Sequence, residues 1–169
     1  DRPKPFFAVS AEGSYNEMTG KTTPKGSVDF SRTFGDRLGV AGGLSYYKRT
    51  FATDNVEMDD WEESDNGVVS AKTLEYRDYD VTRKRLGGSL SFDYRATDDT
   101  TLYLRLLASQ FDDHEYRRRT IFEMEGDPVS GTATSASFRS ADGRITVIRD
   151  VKDRFESQTI RSLSVGGRT

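Results

Sequence analysis

Apolar and polar side chains alternate with a period of two along most of the chain. From Phe7 the series Phe7, Val9, Ala11, Gly13 and Tyr15 interleaves with Ala8, Ser10, Glu12, Ser14 and Asn16. A strand places such interleaved sets on opposite faces. A second strand carries Val28, Phe30 and Phe34 on one face and Ser27, Asp29, Ser31 and Thr33 on the other. The third sets Leu38, Val40, Gly42, Leu44 and Tyr46 against Gly39, Ala41, Gly43, Ser45 and Tyr47. The fourth sets Leu86, Gly88, Leu90, Phe92 and Tyr94 against Arg85, Gly87, Ser89, Ser91, Asp93 and Arg95. In the fifth, Leu102, Leu104, Leu106 and Ala108 oppose Thr101, Tyr103, Arg105, Leu107 and Ser109. A sixth strand runs from the Ile145–Val151 region through Gly167; its facing is ambiguous, because Ile160 and Leu163 have opposite parity.

Turn chemistry punctuates this pattern. Gly35-Asp36-Arg37 and Thr97-Asp98-Asp99-Thr100 predict tight turns. Met18–Lys25, with Gly20 and Pro24, the acidic stretch Thr53–Ala71, and Gly126–Gly143 predict long loops. Long and short connections therefore alternate, as in outer-membrane barrels with short periplasmic turns and long outer loops. Aromatic residues agree: Phe34, Phe92, Tyr94 and Phe7 are expected near the short-turn end and Tyr15, Tyr46 and Tyr47 near the other. Two such girdles around an apolar band are a membrane pattern. The fold class expected is all-β: an antiparallel up-and-down transmembrane barrel segment of about six strands, one partial domain over 1–169. Arg32 shares the apolar face with Val28, Phe30 and Phe34, close enough to the turn to snorkel.

Composition narrows the alternatives. No run approaches the roughly 20 apolar residues of a membrane helix, whereas a barrel strand needs only about 9–11 residues with one apolar face. The absence of cysteine excludes disulfides and zinc–thiolate sites. A net charge of −3, from 25 basic and 28 acidic residues, lacks the basic excess of a nucleic-acid binder. The first residues, Asp-Arg-Pro-Lys-Pro, show neither an initiator Met nor an apolar signal core, so the chain is expected to begin part-way through something longer. Six strands are fewer than the eight of the smallest bacterial barrels, so further strands are expected on the C-terminal side.

Polar alternation continues through Asp78–Arg85 and Phe111–Thr120, the arms of the hairpin closed at Thr97–Thr100. Antiparallel pairing joins Arg83 with Asp113 and Asp78 with Arg118, or in the other register Arg83 with Glu115 and Asp80 with Arg118. Either makes a charge ladder above an outer leaflet, with Lys84 or Arg118 facing lipopolysaccharide phosphates.

Phe6-Phe7-Ala8-Val9-Ser10-Ala11-Glu12-Gly13-Ser14-Tyr15-Asn16 resembles the first barrel strand of the TonB-dependent outer-membrane receptors, just after their plug domain. Phe34-Gly35-Asp36-Arg37-Leu38-Gly39-Val40 resembles the first periplasmic turn of that family. Leu86 to Arg95 and Thr97 to Leu104 resemble the second turn and its flanking strands. The resemblance implies a full barrel of about 22 strands, a plug that this chain lacks, an energy-transducing TonB-type partner, and uptake of a scarce small-molecule nutrient: an iron chelate, a carbohydrate or a cobalamin-like molecule. It places the protein in the Gram-negative outer membrane among lipid and lipopolysaccharide. The alternative is a soluble all-β binding or structural domain.

The residues offer no catalytic constellation. His114 stands alone, and Asp59–Gly67 lacks calcium-loop spacing; no cofactor is implied and no enzymatic activity expected. Ligand contacts are expected from inward-facing residues near the outer end, Tyr47, Arg49, Tyr79, Arg83 and Arg85, and from Trp61, whose ring supplies stacking area.

Overall fold

The computed structural model describes residues 4–141 and 144–169. They form eight strands: β1 (Phe6–Asn16), β2 (Lys21–Phe34), β3 (Leu38–Glu63), β4 (Val69–Arg95), β5 (Thr101–Met124), β6 (Ser130–Thr132), β7 (Ser135–Ser137) and β8 (Ile145–Arg168). The main sheet is antiparallel and up-and-down, in the order β1-β2-β3-β4-β5-β8, and does not close: β1 and β8 are its edges. The all-β, six-stranded architecture expected from the alternation is therefore present, and β6 and β7 add a small hairpin. Among the described residues no helix is long and apolar enough to cross a membrane, which says nothing of strands.

Both tight turns lie where the sequence puts them. Gly35 takes a φ of 58°, a left-handed conformation that glycine adopts without a steric penalty. At the second turn Ala96 N and Thr97 N donate to Thr100 O at 2.9 and 3.2 Å.

The long loops are corrected. Lys21–Lys25 belongs to β2, leaving only residues 17–20 as a turn. Pro24 is tolerated because the β2–β3 ladder begins at Lys25, so its missing N–H interrupts no bond to β3. Most of Thr53–Ala71 is also strand: β3 runs to Glu63 and β4 resumes at Val69. The third loop holds the β6–β7 hairpin, and Gly143 at its predicted end lies outside the described residues. Two of the three expected long loops are thus largely strand, and only the connection from β5 to β8 remains long.

The chain divides into two compact units: Asp1–Phe51, Val81–His114 and Arg154–Thr169, and separately Ala52–Asp80 and Glu115–Asp153. In the first unit, Val9 pairs with Val28 and Val28 with Leu44; Phe7 pairs with Phe30 and Phe30 with Gly42. Gly42 has to be glycine, since a Cβ there would lie 2.9 Å from the Phe30 ring and the Ser89 carbonyl. A Cβ on Gly88 would lie 3.5 Å from Leu44 Cδ1, which carries the same face onto β4, and one on Gly167 would lie 3.0 Å from Leu102 Cδ2, which carries it from β5 to β8. This face is mainly apolar, interrupted by Arg32 on β2 and, by parity with Gly167, by Arg161 on β8. The opposite face carries Ser10 hydrogen-bonded to Ser27 at 3.0 Å, Ser45 donating to Gly87 O, and Arg105 paired with Asp93 at 2.6 Å.

Register corrects one aromatic. Phe7 faces Phe30, four residues in from Phe34, so it lies within the apolar band rather than at its short-turn end. Among the described residues only Val81 and Ile121 are buried hydrophobics. The apolar face has no core behind it.

Candidate functional site

In the first unit, β3 and β4 are held in register by the Ser45–Gly87 bond and by Thr50 Oγ1 and Thr82 Oγ1 at 3.2 Å. That register sets Tyr47 beside Arg85 and Arg49 beside Arg83, on the face that carries Ser45. Four of the predicted ligand residues therefore form two adjacent rows. The guanidinium carbons of Arg49 and Arg83 lie 4.7 and 5.4 Å from the Phe51 ring centre, and that of Arg85 lies 5.1 Å from Phe111. Such cation–π seating holds a guanidinium in place without consuming its hydrogen-bond donors.

Charge compensation is partial. Arg83 Nε donates to Asp113 Oδ1 at 3.4 Å, and Asp113 is buried. Lys25, paired in the sheet with Tyr47, bonds Glu12 at 3.1 Å. Arg49 and Arg85 are exposed and have no carboxylate partner among the described residues. The result is an electropositive strip with aromatic footing, suited to groups that are anionic or present a π-face.

The other two predicted residues, Trp61 and Tyr79, belong to the second unit. Trp61 is exposed, and its Nε1 donates to Met58 O at 3.3 Å. Tyr79 lies under Arg117, 5.9 Å from ring centre to guanidinium.

That unit also holds an ion network the sequence reading did not name. Arg77 donates to Glu75 at 2.6 Å and pairs with Glu57 at 2.5 Å. Arg119 donates to both Glu75 oxygens at 3.2 Å and grips Asp150 through Nε at 2.9 Å and through Nη2. Burial works against ionisation of Glu75, but the Arg77 hydrogen bond and the Arg119 and Arg77 charges outweigh it, so its carboxyl is held below the usual range. The Arg119 hydrogen bond does the same for Asp150, and Arg119 is in turn raised, chiefly by Asp150. The alternation of opposite charges at Glu75 and Arg77 was the available signal; the partners on β5 and β8 needed the register.

The charge ladder takes the first of the two registers. Arg83 meets Asp113, and Arg118 meets Asp78 at 2.6 Å, with Asp80 further off at 3.4 Å. Lys84 is exposed. No cluster of His, Cys, Asp or Glu among the described residues could hold a metal ion. His114 stacks edge-on to Phe155 at 6.3 Å.

No family model, no characterised protein and no solved structure matches this chain.

Proposed function

We propose that this chain is part of the barrel wall of a TonB-dependent outer-membrane receptor that takes up a scarce nutrient. One observation carries the reading. The six-stranded sheet exposes an apolar face in the first unit with almost nothing buried behind it, and its opposite face carries hydrogen-bonded serines, an ion pair and arginines seated on the Phe51 and Phe111 rings. Exposed apolar surface on this scale marks contact with another apolar phase or partner. Lipid fits best, because aromatic residues stand at the limits of the band: Phe34 and Tyr94 at the short-turn end, Tyr46 at the other. The soluble alternative requires a core, and Val81 with Ile121 do not make one.

The open edges of β1 and β8 carry unpaired backbone groups that lipid does not tolerate. The reading therefore requires further strands, a plug inside the closed barrel, and the inner-membrane partner that drives such receptors. Lys84 is suited to lipopolysaccharide phosphates. Arg49, Arg83 and Arg85, with Tyr47, are the proposed contacts for the nutrient or the plug, and Tyr79 and Trp61 are further nutrient contacts.

Growth under limitation tests the uptake reading. Deleting the parent gene should abolish growth on at least one limiting iron chelate, carbohydrate or cobalamin, and inactivating the energy transducer in the parental strain should reproduce that defect. Unimpaired growth on all three classes would remove the transporter assignment.

A further inference from the structure

The second unit contains an apolar cavity of about 270 Å³ between the β3–β4 tip and the segment that carries β6 and β7. Its walls include Met58, Trp61, Leu74, Met124 and Phe138, with Ala136 on the β7 side. The covering segment is tied down at several points. Pro128 is fully buried and its carbonyl accepts from Asn66 Nδ2 at 2.9 Å. Lys72 donates to Gly126 O at 2.6 Å and holds its ammonium 5.8 Å from the Phe138 ring. Val129 N donates to Ser137 O at 2.8 Å. These bonds keep the wall in place while the space behind it stays open.

Three hydroxyl residues line the same cavity: Thr134 and Ser135 are exposed, and Ser135 bonds Thr132 at 2.8 Å, so Ser70 is the buried one. Ser70 is only 4 % exposed, and its hydroxyl finds no hydrogen-bond partner among the described residues. A buried hydroxyl left in that state is destabilising until something pairs with it. Apart from Thr134 and Ser135 the remaining lining is aromatic, aliphatic and thioether, and methionine sulfur favours the edge of an aromatic ring. A closed apolar cavity of about 150 Å³ already accepts benzene, so this one has room for a ring and a short substituent.

The geometry points to a binding site for a single aromatic ring bearing one hydroxyl group, with the ring between Trp61, Phe138 and the two methionines and the hydroxyl paired to Ser70. The site stands independently of the uptake reading, since either a receptor or a soluble domain could carry it.

The chain supplies its own reporters. Two of its three methionines, Met58 and Met124, line the cavity, whereas Met18 sits in the first unit. With methyl-labelled methionine and benzyl alcohol as the probe, the Met58 and Met124 resonances should shift saturably and Met18 should not. Ala136→Trp should fill the cavity and abolish the shifts; if that variant does not fold, Ala133→Leu serves the same purpose. Ser70→Ala should weaken benzyl alcohol about 3–10-fold and leave toluene unchanged. Shifts that do not saturate, or that Met18 shares, overturn the site. So does full binding by a folded cavity-filling variant, or equal loss of both probes in Ser70→Ala.

Discussion

Arg32 occupies a position where a charge should be costly, on the apolar face opposite Val40. Its guanidinium carbon lies 5.2 Å from the ring centre of Phe34, two residues nearer the Gly35–Arg37 turn. The side chain thus runs along the strand toward the turn, as a snorkelling arginine does, and the aromatic face offsets part of the desolvation. Parity alone showed that residue's problem; the contact shows its solution. Glu75 is the reverse case, since its local sequence shows only alternation with Arg77 and not the network that reaches β5 and β8. Its carboxyl is held below the usual range, and the direction fixes a pH dependence. A carboxylate whose folded-state pKa is depressed contributes its full stability above the unfolded value, about 4.3 for Glu, and loses it as pH falls through the folded value. Asp150 adds to the same trend, starting from about 3.9. Melting followed by Trp61 fluorescence should therefore show the second unit losing stability as pH drops below about 4. Glu75→Gln should cost about 1–2 kcal/mol at neutral pH and flatten part of that acid limb; an unchanged limb would place the titrating groups elsewhere.

Among the elements, the first-unit strands were the most legible and the second-unit strands the least. Leu86 to Tyr94 alternates because one face is apolar and the other polar, so the pattern itself carries the strand. Residues 53–63 and 69–80 are strand too, yet both faces are largely polar there, and a strand without an apolar face has no periodic signature. Val56 and Met58, then Leu74 and Tyr76, were the faint traces of it. The turn at Thr97–Thr100 was readable from its residue types, and with it the pairing of the arms was reduced to two registers. Side-chain contacts select one: Arg83 with Asp113, and Arg118 with Asp78. Exchanging charges tests this at the level of the hairpin. Arg118→Asp and Asp78→Arg should each destabilise, and the double exchange should recover a coupling of about 0.2–1 kcal/mol in a thermodynamic cycle. Adding salt should shrink that coupling, because both side chains are about half exposed. A coupling for Arg118 with Asp80 that exceeded the one with Asp78 would instead favour the alternative register.

At the level of the whole molecule, the candidate site was half legible. Facing parity gathered Tyr47, Arg49, Arg83 and Arg85, but the aromatic footing of Phe51 and Phe111 and the cavity under β6 and β7 depend on long-range pairing that no local pattern encodes. The apolar face of the first unit can be probed more directly, because lipid and a protein core respond differently to charge. In lipid the cost of an arginine depends on depth, about 2–4 kcal/mol at the midplane and about 0–1 near the interfaces. In a protein core it follows packing and shows no such profile. Leu90 and Leu106 lie in the middle of the band, while Leu86 and Leu102 lie toward its two limits. Arginine at each, measured by guanidinium unfolding of the closed barrel in phosphatidylcholine vesicles, should cost most at Leu90 and Leu106 and least at Leu86 and Leu102. Thicker bilayers should raise the cost at the two outer positions, since the hydrocarbon then reaches them. Ser89→Arg, on the opposite face beside Asp29 and Gly43, should stay near neutral in every bilayer. A profile that is flat with depth, or that ignores acyl-chain length, would mean that protein covers this face, and the outer-membrane reading would fall with it.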